Sequence, residues 1–356
     1  MIVKDEQDVI ERCLSSVNEV IDYWVIVDTG SKDRTQQIIR SFLGNIPGEL
    51  HHRPWKNFEI NRNQALELAQ GHGDYILFMD ADDVLRFEGE PHFEELTADM
   101  YMMWRGTEEF SYLKPQLVRS DVPWKWVGVT HEYLDAPQPV SSDVLSNVKY
   151  VSLEGGASHK DPKQKFLKNI ALLTKALEEN PTNGRYAFYL AESYRDADEP
   201  GKALQWFQKR IAMGGWVEET FWAKLQSALM LKKMGLSNNV VVEALLDAHR
   251  FRPHRLEPVY YLAEIWNQEE EYVKSYEFIK TAFSHKKPVE KDALFNMDWI
   301  DQYGLLFQLS ICSYYANHYE ESLRYCNQLL KLKTLPEWWR KQTIQNREFP
   351  LLKLQT

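Results

Sequence analysis

Three carboxylates, Asp80, Asp82 and Asp83, end an apolar run that starts at Tyr75. Asp80 and Asp82 are two positions apart, so in extended backbone both side chains leave on the same side. Two hard oxygen donors on one side can hold a divalent cation, Mn2+ or Mg2+, that also takes oxygens from a substrate diphosphate. A lone Asp-x-Asp is more often a solvated acidic turn or a helix cap, so the pair needs support from the rest of the chain. Asp28 gives some, because it ends a second apolar run, Tyr23 to Val27.

The elements that must position these groups follow from the apolar runs. Tyr75 to Met79 fits a strand covered on both faces. Met1-Ile2-Val3 is a strand entered in its middle, and a helix follows with Val9, Ile10, Cys13, Leu14 and Val17 on one face. Ser31 is expected to cap a helix over 33–43. After the Pro47-Gly48 break come a short strand over 49–53 and a helix over 58–69. The order β-α-β-α-β-α-β predicts parallel strands with right-handed crossovers. Asp28 and Asp80 should then lie at one edge of one sheet, where open α/β sheets bind ligands.

Four stretches, Met1-Ile2-Val3-Lys4-Asp5-Glu6, Val25-Ile26-Val27-Asp28-Thr29-Gly30-Ser31-x-Asp33-x-Thr35, Asn61-Arg62-Asn63 and Asp80-Ala81-Asp82, resemble in order and spacing the motifs of family-2 glycosyltransferases of the GT-A fold. The resemblance implies a Rossmann-like domain over 1–160, a nucleotide-sugar donor with UDP the commonest nucleotide, a divalent metal and inversion at the anomeric carbon. It places Val3, Lys4 and Glu6 beside the nucleoside and Asp28 at the base or ribose. It brings Arg62 to the diphosphate and sets Asp80 and Ala81 against the donor, with Asp80 and Asp82 at the metal.

Inversion needs a base beyond the metal strand to deprotonate the acceptor. Glu108, Glu109, Asp121, Glu132 and Asp135 qualify by position. Glu132 is favoured because it sits in the aromatic, glycine-bearing stretch Pro123 to Tyr133, similar to a run in this subgroup of the family. Trp124 and Trp126 could stack on sugar faces, with His131 close by; core packing of both tryptophans is the competing reading. By resemblance, His159 could complete the metal site.

After Asp161-Pro162 the chain reads as successive helices. A helix-pair pattern around Tyr186 to Tyr194 and Lys202 to Phe207 returns near Tyr260 to Trp266 and near Leu309 to Cys326, and resembles tetratricopeptide (TPR) repeats. Tyr189, Tyr194, Trp206, Phe207, Tyr261 and Trp266 are expected to pack between helices. The expected fold class is α/β plus all-α: a GT-A domain, mostly parallel, then a TPR-like α-solenoid over 161–334 and a tail over 335–356. The solenoid could present a peptide or protein acceptor, or make a homodimer; a glycan acceptor is equally open.

Composition bounds the alternatives. A net charge of −10 argues against a general nucleic-acid binder. Cys13, Cys312 and Cys326 show neither metal-ligand spacing nor a disulfide framework, which fits a reducing, cytoplasmic setting. No apolar run reaches the length of a membrane span, so an integral membrane protein is not expected. A nucleotidyltransferase would want a Gly-rich basic phosphate loop, and only Thr29-Gly30-Ser31-Lys32 stands there. A non-catalytic nucleotide-sugar-binding scaffold, with the repeats holding a protein partner, is the remaining alternative.

Overall fold

A computed structural model describes residues 1–93, 95–106, 110–153, 155–156, 162–285 and 294–355. The chain folds into two compact units, one ending at Ala197 and the other formed by the residues from Asp198 together with Phe110.

The first unit opens with β1 (Ile2–Val3), α1 (Ile10–Ser15), β2 (Trp24–Asp28), α2 (Thr35–Phe42), β3 (Gly48–His52), α3 (Phe58–Ala69) and β4 (Tyr75–Leu77). The order matches the expected alternation, and β1-β2-β3 form a parallel sheet. β4 does not join that sheet. It is the edge of a second one, ordered β4-β7-β6-β10-β5, with β5 (Asp83–Phe87), β6 (Met100–Gly106), β7 (Ser111–Arg119) and β10 (Ser142–Ser152). Asp28 and Asp80 therefore follow strands of two sheets rather than one. A largely apolar cavity of about 320 Å³, lined by Met1, Val25, Leu14, Leu66, Ile76 and Phe78 among others, is bordered by residues of both edge strands, β1 and β4. β5 was not anticipated, because Asp83 reads as the end of an acidic turn when it is the first residue of a strand antiparallel to β10. A short hairpin, β8 (Lys125–Val127) and β9 (Tyr133–Asp135), carries the stretch around Glu132.

The caps differ from expectation in an informative way. Ser31 does not cap α2; its hydroxyl accepts from the Asp5 N–H at 3.0 Å. Asp33 supplies the acceptor at the start of α2, taking the Thr35 N–H at 3.0 Å, and its other oxygen takes the Gln7 N–H at 3.1 Å. The first loop and the loop after β2 are thereby sewn together. α3 begins at a side-chain cap, with Asn57 accepting from Ile60 N–H. The unit ends with α4 (Pro162–Glu179) and α5 (Gly184–Asp196).

The second unit is helical: α6 (Pro200–Met213), α7 (Val217–Lys233), α8 (Asn238–Phe251), α9 (Glu257–Gln268), α10 (Tyr272–Ser284), α11 (Leu305–Tyr315), α12 (Tyr319–Lys331) and α13 (Glu337–Gln355). The hairpins α7/α8, α9/α10 and α11/α12 each turn through one residue in the left-handed region, Gly235, Glu270 and Asn317. Only the first is a glycine, which is why the turn is hard to follow in the sequence as a motif. Phe207 and Trp266 are buried and Trp206 and Tyr261 half-buried. In the tail, Trp339 packs edge-on against Phe307 while Trp338 stays 62% exposed.

Candidate active site

β4 delivers the chain to Asp80, and α3 runs beside it with Arg62 facing inward. Arg62 Nη2 donates to Asp80 Oδ1 at 2.6 Å. Its Nε lies 2.5 Å from Glu132 Oε1, a close ion pair rather than an aligned hydrogen bond. One guanidinium thus bridges the two carboxylates that the sequence assigned to opposite sides of the reaction.

The neighbours of Arg62 in the Asn61-Arg62-Asn63 triplet explain its aim. Asn63 grips the backbone of Trp126 twice, its Oδ1 accepting from Trp126 N–H and its Nδ2 donating to Trp126 O, both at 2.8 Å. This clamps α3 to β8. Asn61, fully buried, accepts from Lys56 N–H and donates to Pro54 O, bracing the loop before α3. Glu59, one turn earlier, accepts from Gly128 N–H at 3.0 Å. The hairpin bearing Glu132 is therefore fastened to α3 at three points.

Two cations missing from the sequence reading complete the site. Arg105 on β6 donates to Asp83 Oδ2 at 2.7 Å and to Asp80 Oδ2 at 3.3 Å, and lies over the Tyr150 ring. Lys114 on β7 is half-buried among the same charges. Arg105 is in phase with the inward-facing Tyr101 and Met103, and Lys114 pairs with Met103 on that same face. A charge in phase with core positions was the available signal. Tyr150 on β10 accepts from the Asp80 N–H at 2.9 Å, which fixes the backbone there.

The charges respond accordingly. Burial alone pushes the Asp80 carboxyl up, but Arg62, Lys114 and Arg105 outweigh it and hold it well below the usual range. For Asp83 burial prevails over Arg105, and the carboxyl is pushed up to about 6. Lost hydration, then the Arg105 charge, bring the Lys114 ammonium down to about 8.

Asp82 stands against Gly156: a Cβ on that glycine would lie 2.4 Å from Asp82 Oδ2, so the backbone there is close-fitting around the carboxylate. Arg12 donates to the Asp82 carbonyl at 2.9 Å. Asp80 and Asp82 are hard oxygen donors of the kind a divalent cation takes. No group of three His, Cys, Asp or Glu that could hold an ion occurs among the described residues. Asp80 Oδ1 is taken by Arg62 and Oδ2 by Arg105, so an ion held there would compete with these guanidinium groups. His159 lies outside the described residues, as do Glu108 and Glu109.

At the end of β2, Asp28 is 1% exposed. Its Oδ1 accepts from the N–H groups of Gly30 and Ser31, both at 2.9 Å, while Oδ2 is buried with no hydrogen-bond partner among the described residues. An orphaned buried acceptor is costly unless a ligand satisfies it.

Trp124 and Trp126 are 6% and 2% exposed and belong to the core with Leu66 and Phe78, so neither presents a ring face to a sugar. The Val3 carbonyl is taken by Thr29 through both its N–H and its hydroxyl, and Ala81 is buried in the core cluster around β1 and α1. Lys4 is exposed, and the Glu6 backbone bonds to Thr35 Oγ1 and opens α1. His131 adopts φ +51° and stacks on Tyr189, 4.1 Å between centroids. Tyr189 was expected between helices and is instead shared with the Glu132 hairpin. Asp121 is a surface residue paired with Arg119 at 2.5 Å, and Asp135 is exposed.

Residues 1–103 match the family described as Glycosyl transferase family 2. The N-terminal domain is a family-2 glycosyltransferase domain. The match ends within β6, so Arg62 and Asp80 lie in the matched part of this family-2 domain and Glu132 beyond it. The chain is 24% identical over 233 residues to the SPbeta prophage-derived glycosyltransferase SunS of Bacillus subtilis (strain 168), covering 59% of this chain and 52% of that protein. It is 42% identical over 89 residues to a TPR repeat-containing protein of Synechococcus elongatus, covering 25% of this chain and 21% of that one. The chain thus spans about half the length of the first relative and about a fifth of the second. Among solved structures, MamA is similar with a TM-score of 0.38 at 14% identity, over 55% of this chain and 97% of that one. The Thermus thermophilus TPR protein TTC0263 gives 0.35 at 14%, over 51% and 91%. No helix among the described residues is long and apolar enough to cross a membrane.

Proposed function

We propose that the chain is an inverting glycosyltransferase that moves a sugar from a UDP-sugar to a nucleophile on a glycan, peptide or protein. The observation that carries this reading is the Arg62 bridge between Asp80, which follows β4, and Glu132. It puts a donor-side carboxylate, a phosphate-type cation and a candidate base within one side chain's reach.

In this reading Asp28 Oδ2 accepts from the base or ribose. Arg62, Arg105 and Lys114 bring positive charge to the diphosphate, on which negative charge grows as its bond to sugar C1 breaks. Asp80 and Asp82 would hold Mn2+ or Mg2+, which supplies Lewis-acid stabilisation of the departing diphosphate. The acceptor's lone pair forms the new bond to C1 from the opposite face, the electron pair of the old bond leaves with the diphosphate, and Glu132 takes the acceptor's proton. Donor phosphates compete with Glu132 for Arg62, so binding the donor would free the Glu132 oxygen for that proton.

The test is a thermal-shift screen of nucleoside diphosphates and nucleotide sugars, with and without manganese. A ligand at 100 times its Kd stabilises a fold by about 2.7 kcal/mol. We expect a manganese-dependent shift with UDP or a UDP-sugar. No shift with any nucleotide would overturn the reading, and the nucleotide-sugar-binding scaffold with it, leaving a protein that binds only a partner.

A further inference from the structure

The second anchor of the Glu132 hairpin comes from α5. Arg185, in the first turn of that helix, donates to the His131 carbonyl through Nε at 3.2 Å and Nη2 at 2.9 Å. Its guanidinium lies 5.1 Å from the Tyr133 ring centroid and 4.9 Å from that of Tyr189. Tyr189, one helical turn along, stacks on the His131 ring with 4° between planes. Residues 131 and 133 flank Glu132, so α5 holds both neighbours of the candidate base.

The conformation held is not one the chain takes by default. His131 has φ +51°, a region sparsely populated by residues with a side chain. Such a residue persists when its surroundings over-determine it, and these outliers cluster at functional sites. Gly128, at φ +122°, makes the turn before it and lies so close to Glu132 that a Cβ there would stand 3.3 Å from the Glu132 Cα. Asn63 and Glu59 fix the strand side of the hairpin through Trp126 and Gly128. On the far side of the turn, Arg185 and Tyr189 provide the grip.

We propose that Arg185 is a positioning residue: it clamps the His131 carbonyl so that Glu132 points at Arg62 and the reacting centre. This rests on the reading that Glu132 takes the acceptor proton. The last helix of the first unit then supplies part of the catalytic geometry.

The test compares R185M and R185K with wild type in the full chain. The first readout is hydrogen–deuterium exchange over residues 128–135, which needs no substrate. We expect faster exchange at Glu132 and Tyr133 in R185M and partial recovery in R185K. Unchanged exchange overturns the proposal whatever the activity. The second readout is hydrolysis of UDP-glucose with manganese, alongside UDP affinity. R185M should lower kcat by about 10-fold or more with UDP affinity within twofold, and should cost nothing further in an E132Q background, since groups that act as a unit are non-additive. An equal loss in the E132Q background would make Arg185 merely structural and overturn the proposal. If wild type neither binds UDP nor hydrolyses UDP-glucose, the glycosyltransferase reading fails while the exchange result still decides whether Arg185 sets the hairpin.

Discussion

Arg62 Nε lies 2.5 Å from Glu132 Oε1 while Nη2 of the same guanidinium holds Asp80. A planar fork can do this; a point charge cannot. R62K keeps the charge but loses one carboxylate. We expect UDP affinity to fall by about 10-fold or more in R62K, with a cooperative unfolding transition retained. Calorimetric titration checks this, and wild-type affinity would remove Arg62 from the donor site.

E132Q keeps the shape and removes the basic oxygen. Turnover should drop by roughly 10²-fold or more, as for loss of a general base, with UDP still bound. The exposed Arg119–Asp121 pair provides the contrast: D121N should leave turnover unchanged. If D121N is the variant that fails, the base has been misassigned.

D82A should fold normally and lose the manganese-dependent part of the UDP thermal shift. A shift of full size in D82A would separate Asp82 from the cation.

Lys114 gives the site a pH dependence. Its folded pKa of about 8 lies below the ordinary 10.5. Below pH 8 the ammonium is charged in the folded and unfolded states alike, and the fold carries the full penalty. That penalty fades between pH 8 and 10.5, so this group favours stability as pH rises there. Donor binding runs the other way, because only the ammonium attracts a diphosphate. We expect UDP affinity to weaken by about 10-fold between pH 7 and 9.5, and K114M to bind more weakly with a flatter profile. An unchanged profile in K114M would place the titration elsewhere.

Trp126 is a core residue, and W126A should cost about 3–5 kcal/mol of stability. N63A, which loses two hydrogen bonds to the Trp126 backbone, should cost about 1–3 kcal/mol. Urea midpoints test both. An unchanged midpoint in W126A, with turnover lost, would restore a sugar-stacking role.

Much of the first unit was legible because its signals are local. Apolar runs mark β2 and β4, and the Asp and Arg motifs keep their spacing. What escaped depends on pairing between distant segments. Nothing near Tyr75 tells that β4 pairs antiparallel with β7 and leaves the β1 sheet. Arg105 and Lys114 look like ordinary strand charges until β6 and β7 bring them to Asp80 and Asp83. Trp124 and Trp126 left sugar stacking and core packing both open, because an aromatic pair beside a glycine looks the same whether it faces solvent or core. Tyr189 had the spacing of a helix-packing residue, and only the turn between β8 and β9 reveals its second partner, His131.

The compact unit that contains the sheets closes at Ala197, after α5. For anyone dissecting or recombining the chain this sets where to cut. A fragment ended at residue 160 would take away Arg185 and Tyr189 and leave His131 without the partners that hold its backbone. A chimaera that trades the helical array for another should keep residues up to 197 with the catalytic half and exchange only the helices from α6 onward.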